Sequence, residues 1–382
     1  GISYTVTPRT RTTGQVRKSV DAFITAGLSA INEFGADRLT VSHVTETAGA
    51  TRPTFYSYFG NVDGLLAEIW LSRGATFWER IVDPSFRLEI SQPEVKAEMR
   101  ALLEIFTVSR RIPEVAEIVA PLVAEWWHTT SGSTDFERSQ KAWLVANRIG
   151  TWLTEPTEPR AMSSVILESV LPGLGTEQPR LELKHELAQT PVLESPTVPN
   201  LTIEGRLLDA TIRVIASSGA NAATMSRIAR NAHVTTGTIY PRFNNNELLL
   251  KSFEHAVGLV TEQNFGLIGP DGFAPEQFGA IVLGGLSPSR KSWRNFRVEM
   301  YLEARYNPVL ADHLRDALHV TNARVGEGLG QLPIGKGERE SIAFLIHTIG
   351  IGMAVLLNNG IPVDEMNHAL LTRAMVQVMA EL

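Results

Sequence analysis

An internal repeat limits the folds open to this chain more than any other feature. Residues 40–66 read TVSHVTETAGATRPTFYSYFGNVDGLL, and residues 224–250 read TMSRIARNAHVTTGTIYPRFNNNELLL. They align without a gap at an offset of 184. Ten of the 27 positions are identical: Thr40, Ser42, Ala48, Thr51, Thr54, Tyr56, Phe59, Asn61, Leu65 and Leu66 each meet the same residue in the second copy. Gly35-Ala36 meets Gly219-Ala220 at the same offset. Weaker echoes follow. Residues 111–116 resemble 306–311 at an offset of 195, and 147–150 resemble 347–350 at 200, so the second copy carries insertions. The chain therefore reads as two whole copies, 14–175 and 200–382. The stretch between them holds Pro179, Pro191, Pro196 and Pro199 and reads as a linker, with a short helix at 181–189.

Both copies read as helical. Val20, Ile24, Leu28 and Ile31 recur at helical spacing, as do Leu345, Ile349, Met353, Leu356 and Leu357. No alternating strand pattern of useful length occurs. The expected fold class is all-α: two copies, each a three-helix head followed by a helical bundle that binds ligand and pairs. The expected domains are 14–72 (first head), 73–175 (first bundle), 176–200 (linker), 201–255 (second head) and 256–382 (second bundle).

Composition then narrows the function classes. Hydrophobic residues make up 43%, enough for real cores. Cysteine is absent, which excludes disulfides and thiolate metal sites and fits a cytoplasmic protein. No run of eighteen apolar residues suggests a membrane span, and residues 1–17 lack the apolar middle of a signal peptide. The net charge of −6 argues at first against nucleic acid, but the charge is uneven. Residues 1–60 carry six Arg or Lys against four acids, and residues 201–252 six against three, so two basic islands sit in an acidic body. Phosphate affinity needs local positive charge, not global.

The repeated segment reads as a helix-turn-helix. Thr40 suits an N-cap, with Val41, Val44 and Ala48 packing a short helix. Gly49 supplies the positive φ of a tight turn. A second short helix runs from Thr51 to Tyr58, with Pro53 harmless in its first turn. Phe55 and Phe59, four apart, face inward and leave Thr51, Arg52, Thr54, Tyr56 and Ser57 outward. Asn61 can cap the next helix, whose N-terminus can take a phosphate oxygen.

On these residues, above all Phe55-Tyr56-Ser57-Tyr58-Phe59, each head resembles the TetR family of transcriptional regulators. The resemblance implies that Thr51, Arg52, Thr54 and Ser57 meet base edges, while Thr40, Tyr56 and Asn61 meet phosphates, with Ser42 and His43 beside them. In the second head the matching set is Thr224, Ser226, Arg227, Thr235, Thr236, Thr238, Tyr240, Arg242 and Asn245. An Arg taking a guanine in bidentate fashion discriminates by ~1–3 kcal/mol. The second head departs twice from the pattern. His233 replaces the turn glycine, and Pro241 falls inside the reading helix, where it distorts the last turn.

Family members pair so that two reading helices reach successive major grooves. Two heads in one chain can form that pair internally, as a pseudo-dimer on an imperfectly palindromic double-stranded operator; a homodimer of whole chains is the other arrangement. Helices near 136–171 and 338–380 are the candidate contact, with Gly150 and Gly350 permitting close approach. The resemblance further implies a repressor released by a small hydrophobic effector. Trp70, Phe106, Trp126, Trp127, Trp293, Phe296 and Tyr301 are the candidate pocket residues, with His128 and Arg110 to orient a polar end. Adjacent Trp126 and Trp127 cannot share one helix face, so one is expected at a surface or cavity.

No cofactor, metal or catalytic motif is expected. Residues 330–336 imitate the start of a P-loop, but Gly337 stands where Ser or Thr must bind magnesium. The Asn200-Leu201-Thr202 sequon means nothing without secretion. Two rivals stand beside the regulator: an enzyme on this scaffold, and a ligand- or protein-binding module whose heads no longer read DNA. His233 and Pro241 keep the second alive.

Overall fold

The computed structural model describes residues 13–157, 161–175, 202–268, 272, 278–330, 332 and 334–382. The linker read at 176–200, with its short helix, lies outside them. The protein is all-α. The first copy contributes α1 (Thr13–Phe34), α2 (Val41–Ala48), α3 (Arg52–Tyr58), α4 (Val62–Val82), α5 (Pro93–Val108), α6 (Pro113–Glu125), α7 (Asp135–Thr154) and α8 (Met162–Gly173). The second contributes α9 (Ile203–Ser218), α10 (Met225–Ala232), α11 (Thr236–Ile239), α12 (Asn245–Ile268), α13 (Phe278–Gly285), α14 (Lys291–Ala304), α15 (Pro308–Gly328), α16 (Lys336–Asn358) and α17 (His368–Glu381). Among the described residues α13 has no counterpart in the first copy, and it falls where the repeat offset grows from 184 to 195.

The chain divides into two compact units. One holds the residues up to Phe77 with Arg87–Ile118. Its centre is aromatic: Phe23 of α1 meets Phe55 and Phe59 edge-on at 5.7 and 5.6 Å. Burying such rings stabilises the head by roughly 1.5–3 kcal/mol each. α5 packs on α1 and ties the head down. The buried Glu104 carboxylate accepts from the Ala36 amide at 2.5 Å, and Arg111 grips Asp37 through two bonds of 2.7 Å.

The other unit holds Trp78–Phe86 and the residues from Val119 onward. Here α7 and α8 pack on α16 and α17. The α7–α16 crossing is close enough to exclude side chains. A Cβ on Gly150 would lie 2.0 Å from the Thr348 carbonyl oxygen, and one on Gly352 would lie 1.8 Å from that of Ala146. The contact thus repeats itself in exchanged form at an offset of 202. Gly350, which the sequence echo pairs with Gly150, instead faces the Arg297 guanidinium, so the helix register is two residues from the one expected. Polar contacts surround the crossing: the Ser163 and Ser341 hydroxyls at 2.9 Å, the Asn367 amide on Ser139 at 2.7 Å, and Arg305 stacked over Trp152 while donating to its carbonyl at 2.7 Å.

Arg148 closes the far end of the first copy's bundle. Its guanidinium donates to the carbonyls of Ile81, Asp83 and Phe86 at 2.7–2.9 Å and pairs with buried Glu168 at 3.0 Å. A cation at the end of α4 satisfies carbonyls that no helical amide can reach. Among the described residues one helix, α16, is long and apolar enough to cross a membrane by length and composition, although it holds no unbroken run of eighteen apolar residues. Most of its most apolar window is buried in the protein, where it packs on α7, α14 and α15.

Candidate nucleic-acid interface and regulatory pocket

In the first head, Thr40 caps α2 by accepting from the His43 amide at 3.2 Å, while the His43 ring accepts from the Thr40 amide at 3.3 Å. This reciprocal capping box occupies His43, and its ring also stacks on Phe34 at 3.9 Å. Gly49 ends α2 at φ 64°, and Thr51 caps α3. The outward edge of α3 then presents Arg52, Thr54, Tyr56 and Ser57. Tyr56 is 54% exposed. The Thr51 and Thr54 hydroxyls bond at 2.9 Å, Ser57 donates to the Thr54 carbonyl, and Arg52 donates to Ser42. Arg52 is thus held against α2 by an exposed partner. Asn61 accepts from the Gly64 amide at 2.9 Å at the start of α4.

The second head keeps this plan and differs where the sequence differs. Thr224 caps α10 by accepting from Arg227. His233 adopts φ 57°, in the left-handed region that favours glycine. Arg206 of α9 donates to the carbonyls of Ala232 and His233 at 2.7 and 3.1 Å, so a cation supports the strained turn. The first copy has Ala22 at the position matching Arg206. Pro241 shortens the reading helix to Thr236–Ile239, against Arg52–Tyr58 in the first head. Thr235 and Thr238 bond at 3.1 Å, Tyr240 is 66% exposed, and Arg242 folds back onto the Thr238 carbonyl at 2.8 Å. Ser226 and Thr236 are exposed. The helix cap falls on Asn244, which accepts from the Glu247 amide at 2.8 Å, rather than on Asn245, so α12 starts one residue earlier than the gapless alignment implies. Two further cations of this basic island are engaged internally: Arg213 with Asp209 and Asn231, and Arg227 with Ser218.

The candidate pocket aromatics separate. In the first copy, Trp70 stacks on Phe106 at 5.9 Å inside the core. Trp126 and Trp127 are both buried, so of the two places expected for one of them, a surface or a cavity, the surface is ruled out. They lie on a π-helical turn, Trp126–Thr130, whose wider step lets both pack inward, Trp126 edge-on to Trp78 and Trp127 donating to Glu365 at 2.7 Å. His128 is exposed. In the second copy, Trp293 lines a cavity of about 130 Å³, while Phe296 and Tyr301 are core. The cavity is walled by Val257, Val260, Val282 and Leu286 and holds the polar groups Arg290, Arg297 and His347. Sequence reasoning passed over these three. The signal was the spacing of Arg290, Arg294 and Arg297, four then three apart on one helical face.

With that geometry in view, the profile of bacterial regulatory proteins of the tetR family matches residues 23–69 and 207–253, the two segments that carry the helix-turn-helix units. Both heads belong to the TetR family. The chain thus carries two TetR-family DNA-binding domains in tandem. No curated protein matches the chain. Among solved structures, a transcriptional regulator from Rhodococcus sp. Rha1 is similar over 47% of this chain and 97% of its own, at 20% identity and a TM-score of 0.40. In the TetR-family heads, the matched segments begin within α1 and α9 and end within α4 and α12.

Proposed function

We propose that the chain is a sequence-specific transcriptional regulator whose two heads read two unlike half-sites of one operator, as an internal pseudo-dimer. The observation that carries the pairing is the exchanged Gly150–Thr348 and Gly352–Ala146 contact, because one patch meeting its own counterpart is the mark of a two-fold interface. In the first head Thr51, Arg52, Thr54 and Ser57 read bases, while Thr40, Ser42, Tyr56 and Asn61 position the backbone. In the second, Thr235, Thr236 and Thr238 read bases, with Thr224, Ser226, Tyr240 and Arg242 on phosphates. Repression, relieved by a small effector, is the proposed mode. Neither activity calls for catalysis.

Selection of bound DNA from a random library tests this, with Arg52→Ala and Arg242→Ala run beside the parent chain. The expected outcome is a site of two different halves, with Arg52→Ala relaxing one half only. A perfect palindrome would mean paired chains using one head type. No enrichment would favour the second reading, a ligand-binding module with degenerate heads, for which the four-residue α11 is the supporting observation.

A further inference from the structure

The cavity of the second copy contains cations with no counter-ion among the described residues. Arg290 is 1% exposed, yet its Nε has no hydrogen-bond partner, and its one bond is to Gln263 at 3.4 Å. Arg297 also has an unpartnered Nε; its guanidinium lies 5.4 Å from the Trp293 ring centre and 3.3 Å from His347 Nδ1. No carboxylate among the described residues pairs with either. Arg294, one turn on, is spent on the Ser287 carbonyl at 2.5 Å. His347 adds no charge. Its Nε2 bonds the Tyr301 hydroxyl at 2.6 Å, and burial together with Arg297 keeps its pKa well below 6.5. Burial lowers both pocket arginines to about 10, still protonated at neutral pH. Unpaired buried cations are costly, and a protein keeps them where a ligand supplies the missing charge.

We propose that this pocket binds a small organic monocarboxylate, its carboxylate between Arg290 and Arg297 and its apolar body against Trp293, Val257, Val260 and Leu286. The guanidinium fork matches a carboxylate in geometry. The 130 Å³ volume sets the size. An engineered protein cavity of about 150 Å³ holds benzene, so one ring or a short chain fills this one. The pocket wall joins α12, which begins within the second head, to α16 of the glycine crossing. A bound acid therefore touches both the helix that carries the head and the helix that joins the copies. The effect on DNA rests on the effector-responsive reading proposed above; the binding itself does not.

Titration calorimetry on the full chain tests the assignment with benzoate, phenylacetate, cinnamate and octanoate, each beside its amide, and with phenyl phosphate. At least one acid should bind one per chain, with its amide weaker by tenfold or more. Arg290→Met and Arg297→Met should each weaken that acid at least tenfold. Circular dichroism checks their fold, and because an unpaired cation is removed, neither variant should melt lower than the parent without ligand. Should Arg290→Met fail to fold, Arg297→Gln carries the same test. Amides binding as tightly as acids, phenyl phosphate binding tighter than every acid, or no panel member binding would each overturn the proposal. Adding the bound acid to the chain on its selected DNA separates the two readings. Unchanged DNA affinity would retain the carboxylate site and remove its effector role.

Discussion

Position 49 and position 233 make the same turn with different residues. Gly49 reaches φ 64° without strain, and a Cβ there would meet nothing within 4 Å, so a substitution is penalised by the backbone alone. Gly49→Ala should destabilise the first head by ~1–2 kcal/mol, the cost of the left-handed region for an L-residue. His233 already bears that cost, and His233→Gly should gain ~0.5 kcal/mol once glycine's extra unfolded-state entropy is deducted. Arg206→Ala should remove ~1–2 kcal/mol from the second head, since its charged bonds hold the carbonyls of that turn. Urea unfolding followed by circular dichroism reads all three. His347 sets a pH dependence of definite sign. The unfolded chain takes up its proton near pH 6.5, whereas the folded chain defers uptake to well below that value. Stability is complete above pH 6.5 and declines as pH falls beneath it, by up to ~1.4 kcal/mol per pH unit for this one group. His368, also lowered by burial, acts in the same direction. His347→Gln should flatten the slope by about one proton, visible in unfolding midpoints measured between pH 7 and pH 5.

Elements succeed or fail at their crossings. Gly150→Ala should cost at least ~3 kcal/mol or abolish folding, because the new methyl collides with the rigid Thr348 backbone. Gly258→Ala, on an exposed face of α12 with nothing within 4 Å, should instead stabilise by ~0.5–1 kcal/mol. Thermal melts of the two variants give opposite shifts if the crossing is as tight as described. The contrast also marks how far sequence alone could see. The head was legible because caps, turn glycine and four-spaced phenylalanines are local signals, each with one structural meaning. The crossing was half legible. Gly150 stood out in its apolar run, but its partner needed the helix register, which pairs it with Gly352 rather than with the Gly350 of the echo 147–150 against 347–350. The paired tryptophans were misread because a π turn changes which neighbours share a face, and nothing in Trp126-Trp127 announces one. Arg290, just before α14, and Arg294 and Arg297 within it fall at helical spacing, but a periodic row of cations ordinarily marks a solvated surface; only the packing of α12, α13, α15 and α16 around them reveals a buried one.

At the scale of the whole molecule, the repeat offset rises in steps, 184 across the heads, 195 at residues 111 and 306, and 202 at the crossing glycines. The second copy is therefore longer between the head and the crossing. α13 fills the first gap and packs on α17, where the Gly279 amide donates to Thr372 at 2.8 Å. The two copies share the heads and the helix crossing, and they differ most in the segments between them. If the crossing rather than the tether unites the copies, the peptide link is dispensable once folding is complete. A protease site placed within 176–200 and cut in the folded protein should leave both halves co-eluting in gel filtration, bound through α7, α8, α16 and α17, with one pair of halves still occupying one selected DNA site. The interface supports this because its centre is apolar and backbone-close, features of obligate rather than transient contacts. Separation of the halves on cutting would mean that the tether supplies the effective concentration holding them together.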